Sequence, residues 1–549
     1  MNIRLTHATS AHAMIGVFAE NGIDRAYIVP GESYLGVLDA LNDFKSMDVV
    51  VCRHEGGAAF MAEVDGKLTG RPGLVMVSRG PGATNASIGV HAAQQDGVPL
   101  ILIIGQVPRR DLRKDAFQEI DYQKMFGAMA KWVYEATTPE DLATAAFKAI
   151  RVATSGTPGP VVLVIPEDIQ QQPVPLRPLI SVPAQLTLAS AATLAHIHER
   201  LISSQRPLII AGSMIGRRES GREALLALSE KYKLPVAVAF RQNDLFPNDH
   251  PLYAGHLDLT MRKEQHELFA SSDLLFALGT QLDDITTQGY TFPAEPRPEQ
   301  FLIHCFPDDQ VVNKTFVADM GLTADPVTLI NQLLSLEDSR SNCQPGTSWI
   351  DAISTEQRKA SQWPTCVAAD GIPFSAVVHE LEKQTQENLT LCLDTGTFAT
   401  SVYRNFSFRR GQRLLASCSG AMGHGVPAAI AAQMRMPQDK VVCLIGDGGF
   451  LMTGNEIITA VQRKLPILII LSNNNSYGSI RVHQHIFYPH RHTGTTLTNP
   501  DFVGLAGAFG MKAERVEDEE QVAAAINRGL LSHEPYLIEV KTSLDAVLR

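Results

Sequence analysis

Residues 446–475 read GDGGFLMTGNEIITAVQRKLPILIILSNNN. The apolar run VVCLI (441–445) ahead of this stretch predicts a buried strand. Asp447 then falls at the strand's carboxyl end, where open α/β sheets bind their ligands. Gly446, Gly448 and Gly449 let the backbone turn sharply and approach a phosphate closely. A helix follows, then a second apolar run, PILIILS (466–472); Asn474 stands just beyond it, 27 positions after Asp447 (474 − 447). A carboxylate and an amide oxygen from adjacent strand ends can coordinate a hard cation such as Mg2+, with phosphate oxygens filling the remaining positions. Gly-Asp-Gly and Asn-Asn are ordinary turn sequences when they stand alone. Bracketing one β-α-β unit at this spacing, they point to a metal-and-diphosphate clamp.

The same alternation of apolar strands and helical stretches runs the length of the chain, which predicts an α/β protein with doubly wound, mainly parallel sheets. Strands are expected at AYIVP, DVVVC, GLVMVS, LILIIG and VVLVIP in the first third. PLIIAG, PVAVAF, LLFALG and FLIHCF follow in the middle, and LTLCLD, RLLASCS, KVVCLIG, PILIILS and YLIEVK in the last third. A Pro-rich segment, PEDIQQQPVPLRPLISVP (166–183), reads as a linker, and the polar stretch EDSRSNCQPGTS (337–348) as a second boundary. Three domains of comparable size result, over 1–172, 186–336 and 349–549, the first and third alike in layout.

Composition narrows the partners. The chain has 549 residues, 45% hydrophobic and 19% charged, which is a globular balance, and its formal charge of −11 argues against nucleic acid or an anionic membrane as main partner. No apolar run approaches the ~18 residues of a membrane span, and the N-terminus MNIRLTHATSAHAM has no signal-peptide core. Seven cysteines, odd in number and without a CxxC pair, fit reduced thiols in a cytoplasmic protein.

The Gly-Asp-Gly and Asn-Asn pair closely resembles the thiamine-diphosphate motif of the thiamine-dependent decarboxylases and acetolactate synthases, and the likeness extends over nearly the whole chain. SCSGAMGHGVPAAIAA (417–432) resembles the family's SGGLGTMGFGLPAAIGA. That resemblance implies that Met422 wedges beneath the cofactor and that the Gly420 carbonyl accepts from its amino group. It gives the metal to Asp447, Asn474 and the main-chain oxygen of Ser476, with Tyr477, Gly478 and Ile480 beside the cofactor. DTGTFATS (394–401) occupies the diphosphate-contacting segment, with Gly396 and Thr397 as candidates, although the anabolic enzymes usually have GQHQ there.

In the first block, RHEGGAAFMAEVDGKLTG (53–70) places Glu55 at a helix start, where an acid ordinarily complements the helix dipole. The segment also resembles the family's catalytic-glutamate segment. The glutamate there hydrogen-bonds the cofactor's aminopyrimidine, creating the C2 ylide and, once CO2 has left, an enamine. VSRGPGATN (77–85) matches the family's SGPGATN with Arg79 at a usually small position. In VPGESYLG (29–36), Gly31 belongs to the cofactor loop and Glu32 replaces a small residue facing the substrate. GQVPRRDLRKDAFQEID (105–121) carries over Gln106, Phe117 and Gln118 as pocket residues, although Phe117 equally suits plain core. In GSIRVHQHIFYPHR (478–491), His483 occupies the position of a tryptophan linked to selection of the second keto acid, and Ile480 that of a valine.

The resemblance thus implies a pyrimidine-binding first domain, a central domain, and a third domain that binds thiamine diphosphate and Mg2+. The expected activity is 2-keto acid decarboxylation with carboligation to an aldehyde or keto acceptor. True acetolactate synthesis from two pyruvates, aldehyde lyase or ligase chemistry, and a binding-only protein remain as alternatives. A homodimer or homotetramer with active sites at subunit interfaces is implied. FAD is expected to be absent, because QLDDITTQG (281–289) has Gln281 and Ile285 where flavin-containing members show the arginines of R-x-DDR-x-TG. No long C-terminal lid is expected after the last strand.

Overall fold

Three six-stranded, all-parallel sheets flanked by helices make up the computed structural model, which describes residues 7–175, 181, 187–259, 261–337 and 346–548. The first sheet runs Asp48–Val51, Arg25–Ile28, Gly73–Val77, Leu100–Gln106, Pro160–Pro166, Trp132–Glu135 across its width. The third runs Arg413–Leu415, Leu389–Leu393, Lys440–Gly446, Leu468–Asn473, Tyr536–Lys541, Lys512–Val516. Numbered along the chain, both orders are 2-1-3-4-6-5, so the first and third domains share one topology. The middle sheet, Tyr253–His256, Val236–Val238, Pro207–Ala211, Leu274–Leu278, Phe301–Phe306, Met320–Thr323, is ordered 3-2-1-4-5-6, the dinucleotide-fold arrangement.

Every strand expected from an apolar run forms. Central strands such as Leu100–Gln106 and Pro160–Pro166 are buried at every residue, because helices cover both faces. Within these three sheets four strands had no such signal, Trp132–Glu135, Tyr253–His256, Met320–Thr323 and Lys512–Val516, and all four lie at sheet edges. Three of them are half open to solvent and mixed in composition, while YAGH carries a glycine and a histidine.

The domain boundaries differ in detail from the sequence reading. Within the Pro-rich segment, Pro173–Pro175 pairs antiparallel with His7–Thr9 in a two-stranded ribbon, so the first domain keeps the beginning of the expected linker. Residues 176–180 and 182–186, and the boundary stretch 338–345, lie outside the described residues. Helix Thr347–Ala360 packs on the middle sheet: Trp349 is buried there and donates its indole N–H to the Pro207 carbonyl at 2.9 Å. By packing, the third domain therefore begins after this helix.

The first and third domains meet through helices Glu55–Thr69 and Gly425–Arg435. Small residues make the approach possible; Gly57 lies so close that a Cβ there would stand 2.9 Å from the Glu456 side chain. Polar groups fix the register. Arg435 forms ion pairs with Asp24 and Asp65, Lys67 donates to the Ala416 carbonyl at 2.8 Å, and His424 Nε2 meets Glu63 at 3.0 Å with both side chains buried. Among the described residues no helix is long and apolar enough to cross a membrane.

Replacing Arg435 would leave Asp65, 3% exposed, as a buried carboxylate without its cation. Arg435→Met is expected to lower unfolding stability by about 3 kcal/mol, the low end for breaking a buried pair because the arginine itself is partly exposed. Chemical denaturation measures it; an unchanged midpoint would contradict this role.

Candidate active site

Strands Lys440–Gly446 and Leu468–Asn473 are parallel neighbours with Gly446 opposite Ser472, so Asp447 and Asn474 leave the sheet side by side at its carboxyl edge. Next to them lies Asp394, the first residue beyond Leu389–Leu393, across the point where strand order reverses. A cavity of about 230 Å3 opens over these strand ends. Gly396, Thr397, Gly420, Met422, Gly446, Asp447, Gly448, Gly449, Asn474, Ser476, Tyr477, Gly478 and Ile480 all line it, together with Phe374, Phe398 and Val547.

Asp447 is 3% exposed; its Oδ1 accepts from the Gly448 N–H at 2.8 Å and its Oδ2 from Asn499 Nδ2 at 2.8 Å. Burial holds its carboxyl above the ordinary aspartate range, a tendency that these donors oppose. Asn474 Oδ1 accepts from the Ser476 N–H at 3.0 Å, and the Ser476 carbonyl accepts from Gly478 N–H at 2.8 Å, leaving each oxygen a second lone pair. The loop is braced from behind, since Ser476 Oγ and the Tyr477 N–H both donate to the Thr495 carbonyl at 2.9 Å.

Asp394 organises two walls at once. Its Oδ1 accepts from Thr395 N–H at 2.7 Å and Gly423 N–H at 3.1 Å, and its Oδ2 from Gly425 N–H at 2.8 Å. It thereby ties the 395–398 loop to the loop carrying Gly420 and Met422. Burial raises its pKa, against these three donors. Its position at a strand's carboxyl end, like that of Asp447, is legible in the sequence after the run LTLCL. Asn499 carried no such signal, because only the folded loop brings it to Asp447.

The donor set suits a hydrated divalent cation with a diphosphate. Among the described residues the cavity is lined by one carboxylate, amide and carbonyl oxygens, glycines, and no lysine or arginine. Among the described residues no cluster of three His, Cys, Asp or Glu side chains could hold a metal by itself. Phosphate oxygens and water would complete the shell of a cation here, and the cation would offset the charge of a diphosphate. Asp447, Asn474 and Ser476 are the groups that would hold it.

The first-domain candidates gather elsewhere. Glu55 begins helix Glu55–Thr69, half-buried, with Oε2 accepting from Asn85 Nδ2 at 2.9 Å, and it does not line the cavity of its own chain. Around it, Gly31 packs against Ser78, and Gly80 (φ +63) packs against Gln118, itself in the left-handed region at φ +64. Arg79 pairs with Glu167 at 3.0 Å and donates to the Phe117 carbonyl at 3.3 Å. That tether leaves the Phe117 side chain 78% exposed, so it is not core. Glu32 is exposed. Gln106 is fully buried, with Oε1 accepting from Val107 N–H at 3.0 Å and Nε2 reaching the Ile120 carbonyl at 3.4 Å; its amide fixes the chain rather than facing an open pocket. His483 also lies outside the cavity, exposed on helix Gly478–Phe487 with its ring stacked on Phe487.

Comparisons with known proteins agree with this geometry. Residues 8–125, 194–333 and 394–540 match the N-terminal TPP binding, central and C-terminal TPP binding domains of the thiamine pyrophosphate enzymes. The chain is 30% identical over 536 residues to acetolactate synthase isozyme 2 large subunit of Escherichia coli, covering 96% of this chain and 95% of the relative. It is 30% identical to a probable acetolactate synthase large subunit of Methanocaldococcus jannaschii (96% and 91% covered), and 28% identical to the mitochondrial acetolactate synthase catalytic subunit of Saccharomyces cerevisiae (96% and 79%). The chain belongs to the thiamine pyrophosphate enzyme family, is similar to acetolactate synthase large subunits along its length, and is a thiamine-diphosphate-dependent enzyme.

Asp394→Asn turns an amide N–H2 towards backbone N–H groups and leaves at least one of them without an acceptor, at about 1–3 kcal/mol. Thiamine diphosphate affinity, measured calorimetrically with Mg2+ present, is expected to fall about tenfold or more. Unchanged affinity would show that the two loops hold the cavity without it.

Proposed function

We propose that the protein is a Mg2+- and thiamine-diphosphate-dependent 2-keto acid decarboxylase and carboligase of acetolactate-synthase-like type. The observation that carries this reading is the cavity at the third sheet's carboxyl edge, where Asp447, Asn474 and Ser476 present oxygens and, among the described residues, no cationic side chain lines it. When bound, thiamine diphosphate supplies the carbanion chemistry that releases CO2 from a 2-keto acid. Asp447, Asn474 and the Ser476 carbonyl would hold Mg2+ against its diphosphate, Met422 would set its bend, and the Gly420 carbonyl would accept from its amino group. Phe374, Phe398 and Ile480 give the cavity apolar walls that help exclude water.

Among the described residues that line the cavity Asp447, which the metal would occupy, is the only acid, and this supports a proton-exchanging group brought from elsewhere. Glu55 suits the task but does not line this cavity, which supports a homodimer, or a homotetramer built from such dimers, in which Glu55 of one copy completes the site of the other. Exposed apolar side chains fit that assembly: Leu35, Val51, Ile88 and Phe117 on the first domain, and Leu451, Met452, Ile480 and Phe487 on the third. In such a dimer His483 and Glu32 would border the acceptor.

True acetolactate synthesis is supported by the named relatives. Other carboligation or lyase chemistry is supported by histidine at position 483. Gln281 and Ile285 support an enzyme without flavin, and purified protein should then carry no flavin absorption band. Incubation with Mg2+, thiamine diphosphate and a panel of 2-keto acids, with and without aldehydes, separates these chemistries by their CO2, aldehyde and acyloin products. Absence of any product would overturn the enzymatic reading. Glu55→Gln is expected to lower kcat by at least about 100-fold while cofactor and Mg2+ still bind; full turnover would remove Glu55 from the mechanism.

A further inference from the structure

Asn499 stands in the loop ahead of helix Phe502–Ala508, 25 residues past Asn474 (499 − 474), and reaches back to the cation site. Its Nδ2 lies 2.8 Å from Asp447 Oδ2, 2.9 Å from Asn473 Oδ1 and 3.2 Å from Asn475 Oδ1. Its own Oδ1 is buried without a partner. Turning the amide over would set that oxygen against three acceptor oxygens, so the orientation with nitrogen facing Asp447 is the only favourable one.

The side chains behind it are equally fixed. Asn473 donates from Nδ2 to Glu539 Oε1 at 2.7 Å, and Glu539, 0% exposed, accepts from Arg515 Nε at 2.8 Å. Arg515 also donates to Asp501 Oδ1 at 2.6 Å, two residues beyond Asn499. The loop carrying Asn499 is thus braced from the sheet on both sides. With Gly448 N–H on Oδ1 and Asn499 on Oδ2, both oxygens of the Asp447 carboxylate are held in place.

We propose that Asn499 is the positioning residue of the cation site, fixing the plane of the Asp447 carboxylate so that a divalent ion and a diphosphate meet it without rearrangement. The inference rests on the reading of Asp447 as a metal ligand. Groups of this kind, one bond removed from the metal, orient its ligands and set its affinity.

The test uses Asn499→Ala and Asn499→Leu, which differ in volume and share the loss of the N–H donor. Mg2+ is titrated calorimetrically into full-length protein saturated with thiamine diphosphate, and the Mg2+ dependence of turnover is followed alongside. Both variants are expected to bind Mg2+ about 10–100-fold more weakly while remaining folded in the absence of cofactor, as a cooperative melting transition shows, and with kcat recovered at excess Mg2+. Mg2+ affinity within about twofold of wild type, or a loss of turnover that no Mg2+ concentration restores, would overturn the proposal. Wild-type protein that takes up no Mg2+ would instead fail the underlying metal reading, and the two failures are told apart by the wild-type titration alone.

Discussion

Among the described residues no lysine or arginine lines the diphosphate cavity, so the charge of a diphosphate there would be met by a bound cation and by backbone N–H groups. That constraint shapes the third domain. Its cavity lies over the ends of three neighbouring parallel strands, which Asp394, Asp447 and Asn474 follow. Two of the three are committed before any ligand arrives: Asp394 holds three backbone N–H groups, and Asp447 is fixed between Gly448 and Asn499. Burying carboxylates in this way is unfavourable unless their partners are in place, so the site's shape and the local fold stand or fall together.

The interface between the first and third domains follows the same rule. Glu456 accepts from the Arg53 and His54 N–H groups at 2.8 and 2.9 Å, just ahead of Glu55, and burial lifts its pKa. Glu63 meets His424, two residues past Met422. The helix that begins at Glu55 is therefore held against the loop that forms the cofactor bed of its own chain. In the proposed dimer that helix would deliver Glu55 to the other copy, so the geometry of one site depends on a contact made beside the other.

Much of this was legible in the sequence because parallel strands buried on both faces are continuous apolar runs, and site residues follow them at fixed offsets. LTLCL, VVCLI and ILIIL located the cavity, and the glycines after them marked where backbone must approach a ligand. Edge strands such as Lys512–Val516, with one buried residue in five, leave no such run. Residues that act through a loop's return path, as Asn499 does, have no spacing rule to reveal them. Phe117 and His483 show a further gap: motif position assigns them to a pocket, while in the single chain both stand in solvent. Whether a side chain faces a pocket depends on the partner's surface, which no pattern within one chain encodes.

The most direct test of the two-copy site is complementation. Glu55→Gln and Asp447→Ala chains, each inactive alone, can be co-expressed with different tags and purified through both. If each site takes Glu55 from one copy and Asp447 from the other, the mixed dimer has one intact site of two and should recover about half the wild-type activity. Activity no higher than that of either variant alone would contradict a site shared between copies.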